Sequence, residues 1–356
     1  MFARGALRRA SRRLSTTTTT RAAVCESLET GTVSIRDDWP VREVGSNDVL
    51  VETKAAGINF GELLQLRGLY QERLEPPFVP GNEMSGIVRA VGERVSSVSV
   101  GDAVVGLPRG GAWARDVTLP EAAVIPLHGP RTGDAEIDFA SAASLSIAYG
   151  TAYMALKHRA RLDVGETVLV TAAAGGVGSA SIEVARYLGA GRIIAAAGDQ
   201  KKVDLALRLG ADEGFVYTEA SLENPKAFRE LTLKKFGGFD VAVDMVGGPL
   251  LEPIVRSLNF DGRCVVVGFA SGQIPKIPSN LLLVKNVSVV GLYWGAHAVH
   301  KPALFRESCK DVVELWRARH FNPHVGASFA LDDANDAIAD VMARKTTGKV
   351  VLLPSS

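Results

Sequence analysis

The stretch TVLVTAAAGGVGSAS (167–181) carries the clearest chemical signal in this chain of 356 residues. The spacing Ala173-x-Gly175-x-x-Gly178 is that of a dinucleotide-binding turn whose first glycine is replaced by alanine. Gly175 and Gly176, with Ala174 and Val177 beside them, let backbone N–H groups approach a pyrophosphate at a helix N-terminus. Gly178 allows the helix to pack closely on its strand. The competing reading is a tight strand-to-helix turn with no ligand. Where NAD enzymes place a ribose-binding acid, about 20 residues on, stands Ala197. Asp199, Lys201 and Lys202 follow it, and Tyr217 ends the next strand. Two lysines without that acid favour a 2′-phosphate and hence NADPH. Asp199 speaks against this, because a small backbone shift turns it towards a ribose, and the lysines fit a solvated helix start equally well.

Metal and thiol chemistry is poorly supported. Cys25, Cys264 and Cys309 are scattered with no CxxC pair, which suits a reducing compartment and argues against a disulfide framework or a thiolate metal site. His297-x-x-His300 and His320-x-x-x-His324 place imidazole pairs at helical spacing. No motif offers a third ligand, so surface or capping roles are expected and no metal.

Elements able to position the glycine turn are legible around it. From Glu166 onward the apolar runs ETVLVTAA, RIIAAAG, EGFVYT, FDVAVDMV and RCVVVGFA alternate with the helical patterns SASIEVARYLG, QKKVDLALRLG, PKAFRELTLKKF and PLLEPIVRSLN. The helix after the glycines is expected to begin near Val177, the second helix to end at Gly210, and the third to open on Asn224 and Pro225. This alternation means βαβ units and a doubly wound parallel sheet. Residues 22 to about 148 instead show short β-rich runs broken by Gly and Pro (VPGNE, VSVGD, LPRGG), the pattern of a partly antiparallel β domain. After about 290, two helical segments precede a closing GKVVLLP strand.

The first 22 residues stand apart, with six arginines, many Ser and Thr, and no acid before Glu26. That is the composition of a mitochondrial presequence, so residues 1–22 are expected to be removed, with a mature start near Ala22 to Cys25 and a matrix location. A disordered basic tail is the alternative. Without those arginines, 34 basic residues face 39 acidic ones, a net charge of −5, and no basic nucleic-acid footprint remains. No apolar run reaches the roughly 18 to 20 residues of a membrane span, and a soluble protein is expected.

The segments AAGINFGELLQLRGLY, PFVPGNEMSGIVRAVGERV, VGDAVVGL, AAAGGVGSASIEVARYLGA and GKVVLLP together resemble the medium-chain dehydrogenase/reductase superfamily, within it the zinc-free quinone oxidoreductase (ζ-crystallin-like) branch. The resemblance implies an α/β chain with a Rossmann domain at 149–290 and a GroES-like catalytic domain at 23–148 and 291–356, the tail returning to the first domain. Zinc-dependent members carry a Cys in the segment matching AAGINFGE, a His in a GHE motif and a four-cysteine lobe. Phe60 and Asn82 stand at the first two places here, and the lobe is missing. By match to family motifs, Asn59 holds a substrate oxygen or ribose, and Tyr70 lines the pocket or donates a proton that solvent could also supply. The alternatives are that Asn59 satisfies turn backbone and that Tyr70 is packing. Thr151, the segment Val267, Gly268 and Phe269, and the stretch Leu292, Tyr293 and Trp294 match segments flanking the nicotinamide. Gly268 and Phe269 are candidates for holding the carboxamide, and Tyr293 and Trp294 either stack on a flat substrate or pack in the core. Glu83 reads as a structural acid at the domain junction. The implied activity is zinc-independent, NADPH-dependent reduction of quinones or related α,β-unsaturated carbonyls, since conjugated acceptors delocalise the arriving charge without a Lewis acid. The rivals are a mitochondrial enoyl thioester reductase and a non-catalytic NADPH-binding or RNA-interacting protein. A homodimer joined through edge strands of the nucleotide-binding domain is implied as well.

Overall fold

The computed structural model describes residues 18–127, 137–217 and 225–355. In chain order the elements are β1 (Thr19–Val24), β2 (Ser34–Pro40), β3 (Asp48–Ile58), α1 (Phe60–Gln65), β4 (Met84–Val91), β5 (Ala103–Gly106), β6 (Asp116–Pro120), β7 (Val124–Pro126) and α2 (Phe139–Ala143). A linking helix α3 (145–160) follows, with π-type turns at Leu145–Tyr149 and Met154–Ala160. Next come β8 (Thr167–Val170), α4 (Gly176–Tyr187), β9 (Arg192–Ala197), α5 (Gln200–Arg208), β10 (Glu213–Val216), α6 (Pro225–Phe236), β11 (Phe239–Asp244), α7 (Leu251–Ser257), β12 (Leu258–Val266), α8 (Ser279–Lys285) and β13 (Ser288–Gly291). The chain closes with α9 (His297–His300), α10 (Pro302–Arg317), β14 (Val325–Ala330), α11 (Ala334–Met342) and β15 (Lys349–Leu353).

The βαβ alternation builds a six-stranded parallel sheet in the order β10-β9-β8-β11-β12-β13. Its central strands are almost wholly buried and largely apolar because helices cover both faces. Strand order reverses between β8 and β11, and at such a switch point the carboxyl ends of the strands leave a crevice. The expected doubly wound domain is therefore present. Helix α5 ends as expected at Gly210, whose φ of +109° suits glycine and ends the helix. Asn224 lies outside the described residues.

The second sheet has seven strands in the order β14-β15-β3-β4-β5-β7, with β6 also on β3, and all pairs but β14–β15 are antiparallel. The last strand, β15, lies between β14 and β3, so the tail does return to the first domain. Two expected boundaries shift. The folded part begins by Thr19, not after residue 22: β1 pairs with β2, Thr20 Oγ1 donates to Asp116 Oδ2 at 3.0 Å, and Ala22 to Cys25 are fully buried. Nor does the return begin at 291. The apolar face of α10, Cys309, Val312, Val313 and Trp316, packs on the linking helix α3, in a cluster that also holds Val168 of β8 and Ala180 of α4, and the chain rejoins the antiparallel sheet only at β14.

Candidate active site

β8 delivers the chain into the glycine turn through Ala172, at φ +45°, in the left-handed region. Gly175 caps α4, and its N–H donates to the Ala172 carbonyl at 2.9 Å. A side chain at Gly178 would overlap that carbonyl, which explains the third glycine by strand-to-helix packing. Gly176 is different, with nothing nearer than 3.6 Å to where its Cβ would stand. Gly198 after β9 and Gly291 at the end of β13 face open space, and Gly268 after β12 meets only the Met245 carbonyl at 3.6 Å. A row of backbone positions with room above it thus follows the carboxyl ends of the strands, where a doubly wound sheet holds its ligand. At the switch point, buried Thr171 donates to Asp244 Oδ1 at 2.8 Å, and Asp244 accepts from the N–H groups of Val246 and Gly247. Burial pushes the Asp244 carboxyl up, and these donors hold it down.

At one end of this row, Asp199 caps α5. Its Oδ1 accepts from Lys202 N–H at 2.9 Å and its Oδ2 lies 3.3 Å from Lys202 Nζ, so its pKa falls and it is turned into its own helix. Lys202 Nζ also donates to the Arg344 carbonyl at 2.8 Å. Arg344, at the end of α11, donates from its guanidinium to the Ala270 carbonyl at 2.8 Å. Tyr217 is bonded through its N–H to the Ala197 carbonyl, and its phenol, pushed up by burial, feels the Arg344 charge in the opposite sense. The structure therefore gathers Lys202, Tyr217 and Arg344 into one cationic corner. Arg344 was invisible in the sequence because it arrives from the other domain.

At the other end, Val267 and Leu292 extend β12 and the β13 ladder by backbone bonds to Asp244 and Val266, and the Phe269 ring lies against Gly247. Thr151 is buried in α3. Trp294 is not a stacking platform. It is 9 % exposed, its ring centroid is 4.7 Å from that of Phe305, and it presses on Gly150, where a Cβ would come within 2.8 Å. Tyr293 is exposed, and its hydroxyl donates to Glu72 Oε1 at 2.8 Å. The Tyr293 hydroxyl also interacts with that of Tyr70. Burial pushes the Tyr70 phenol up, and this contact draws it partly down. The Tyr70 ring lies over Gly61.

Beneath them is a polar floor that no sequence motif announced. Asn59 caps α1, and its side chain is wholly committed: Nδ2 donates to Glu83 Oε1 at 2.9 Å and Oδ1 accepts from Lys349 Nζ at 2.6 Å. That corrects the expectation that Asn59 holds a substrate oxygen or ribose. Glu83, fully buried, pairs with Lys349 and accepts at Oε2 from Ile147 N–H of α3 at 2.7 Å, the junction role expected of it. Glu62, also buried, accepts from the N–H groups of Asn59 and Asn82, both at 2.8 Å, and burial pushes it up to about 7. The Asn82 amide is used internally, donating to Glu62 and accepting from Gly110 N–H. Neither Phe60 nor Asn82 supplies a thiolate or imidazole. Among the described residues no group of three or more His, Cys, Asp or Glu could hold a metal ion, and no helix is long and apolar enough to cross a membrane. The spaced histidines serve locally: His297 Nδ1 is 3.0 Å from the Tyr293 carbonyl, and His324 Nε2 is 3.3 Å from Thr347 Oγ1.

Two family models match the chain, alcohol dehydrogenase GroES-like domain over residues 45–129 and zinc-binding dehydrogenase over 176–314. Quinone oxidoreductase-like protein 2 homolog of Nematostella vectensis is 41 % identical over 334 residues, 93 % of this chain and 88 % of that one. The chain belongs to the quinone oxidoreductase branch of the medium-chain dehydrogenase/reductase superfamily. Its relatives there include quinone oxidoreductase-like protein 2 of Rattus norvegicus, 42 % identical over 93 % of this chain and 91 % of that one. The quinone oxidoreductase from Thermus thermophilus, solved also in complex with NADPH, superposes with a TM-score of 0.77 at 32 % identity, covering 94 % of this chain and 99 % of that one. Membership of this branch makes the chain a member of an oxidoreductase family with GroES-like and Rossmann domains, as the sequence resemblance implied.

Proposed function

We propose that this protein is a zinc-independent, NADPH-dependent reductase of quinones or related conjugated carbonyls. The observation that carries the reading is the cationic corner: Asp199 is turned into its helix as a cap, which leaves Lys202, Tyr217 and Arg344 to face the 2′-phosphate at the end of an open glycine row. The N–H groups of Gly175, Gly176 and Val177 at the start of α4 bind the pyrophosphate, with the helix dipole behind them. Backbone groups around Gly268 and Phe269 orient the carboxamide. NADPH, when bound, supplies the reducing equivalent. Tyr70 donates a hydrogen bond to the acceptor oxygen as negative charge builds there, and conjugation in the acceptor spreads the remainder. Asn59 and Glu83 support the pocket without touching substrate.

The test is oxidation of NADPH and NADH by the full chain, with a polycyclic ortho-quinone and a trans-2-enoyl-CoA as parallel acceptors. Quinone turnover with preference for NADPH is expected. Turnover of the enoyl thioester alone would move the chain to fatty-acid reduction, and tight NADPH binding without turnover would point to a non-catalytic role. Lys202→Ala should raise the NADPH dissociation constant by about tenfold or more while changing that of NADH less than about twofold, because only the phosphate meets that ammonium.

Two further parts of the reading concern assembly and place. Phe260 of β12 and Leu283 and Val284 of α8 are exposed apolar residues beside the terminal strand β13, and this face suits a second copy of the chain. Residues 1–17, outside the described residues, hold five of the six early arginines and serve as a mitochondrial presequence cleaved upstream of Thr18.

A further inference from the structure

Lys349 opens β15 and is 4 % exposed. A buried ammonium is tolerated only when it is paired and hydrogen-bonded. Here Nζ pairs with Glu83 Oε1 and donates to Asn59 Oδ1 at 2.6 Å, while Asn59 Nδ2 donates to the same Glu83 oxygen, so that ammonium, amide and carboxylate close a ring. Three connections leave the ring. Glu83 Oε2 holds Ile147 N–H in the first turn of α3, the helix that carries Thr151. Asn59 caps α1, over whose Gly61 the Tyr70 ring lies. The Lys349 stem reaches within 3.7 Å of the Cβ position at Gly176, and the N–H of the preceding Gly348 donates to the Ala174 carbonyl at 2.6 Å. Through this ring one cation is tied to the linking helix by way of Glu83 and to the helix under the Tyr70 ring by way of Asn59, while its stem lies against the glycine turn. The other titratable groups facing the ring are Glu62 from α1 and, beside Gly348, His324.

We propose that Lys349 is a positioning residue whose ammonium, by clamping Glu83 to Asn59 against the cofactor turn, sets the register between the bound nicotinamide and the Tyr70 loop. The inference rests on the reading of the cleft as a reductase site. It follows from geometry: the ring is rigid because every polar atom in it is satisfied, and displacement of a reacting centre by about 1 Å costs about a hundredfold in rate.

The test compares the full chain with Lys349→Arg, Lys349→Met and the double variant Lys349→Met/Glu83→Gln, in which both charges go and no buried ion is stranded. In the double variant a cooperative melt and an NADPH dissociation constant within about threefold of the parent are expected. Its kcat for the quinone should fall about a hundredfold with KM little changed, and Lys349→Arg should recover at least tenfold over Lys349→Met. A second readout needs no acceptor: the emission of bound NADPH at equal saturation should differ between parent and double variant. A double variant with kcat within threefold of the parent, or with unchanged NADPH emission, would overturn the proposal. If the parent turns over no quinone but the emission differs as stated, the reductase reading fails and the positioning role survives.

Discussion

Gly176 and Gly178 stand two residues apart and are glycine for different reasons. A Cβ at Gly176 would meet only ordinary contacts, from 3.6 Å outward, whereas the space at Gly178 is filled by the Ala172 carbonyl. Gly176→Ala should therefore leave the thermal midpoint within about 2 °C and weaken NADPH binding about tenfold, while Gly178→Ala should cost about 2 kcal/mol of stability from overpacking, read by urea unfolding. Glu62 gives a pH signature. Its carboxyl is pushed from 4.5 to about 7 in the folded state, so the native protein holds this proton more tightly than the unfolded chain. The stabilisation is full below pH 4.5 and is lost as pH rises through 7, by at most about 3 kcal/mol. Urea midpoints at pH 5 and 8 should fall more steeply in the parent than in Glu62→Gln, and parallel profiles would refute this. The glycine turn was legible because its chemistry lies within a dozen residues. Asn59 was misread and Trp294 left open between stacking and packing because what decides them, Lys349 and Gly150, lies far off in sequence.

Helix α5 shows how an element settles an ambiguity that its sequence leaves open. Asp199 could have faced a ribose, but a helix that starts at Gln200 needs an acceptor for its free N–H groups, and Asp199 supplies it to Lys202. Asp199→Ala should cost about 1 kcal/mol in stability and leave the preference between NADPH and NADH in the same direction; reversal of that preference would assign the acid to the ribose after all. The strand and helix alternation of the parallel sheet was readable because each element has its own apolar period. The placement of α10 was not, since its amphipathic pattern says that one face is buried without saying against which element. Strand β1 was hidden by composition: a Thr run beside arginines reads as a leader, yet Thr20 turns inward to Asp116 while Arg21 pairs with Asp332.

At the scale of the molecule, the apolar face around β13 carries the dimer reading. With Leu283 and Val284 some 80 % exposed, Leu283→Asp/Val284→Asp should shift a dimer to a monomer in light scattering, with the thermal midpoint of the monomer lowered by loss of the partner. Both sheets had counterparts in the sequence, but the contacts that join them across the crevice are long-range and carry no local pattern. Arg344 and Gly348 both reach the parallel sheet from the far end of the chain. The insertion of the nucleotide-binding unit between β7 and β14 also has a consequence for birth at the ribosome. One edge of β3 is completed only by β15, and the bond from Lys349 to Asn59 spans 290 residues of chain. Throughout translation of the intervening unit, that edge offers unpaired amides and carbonyls to any passing strand. A nascent chain stalled before residue 349 should thus recruit chaperones that the released protein no longer needs.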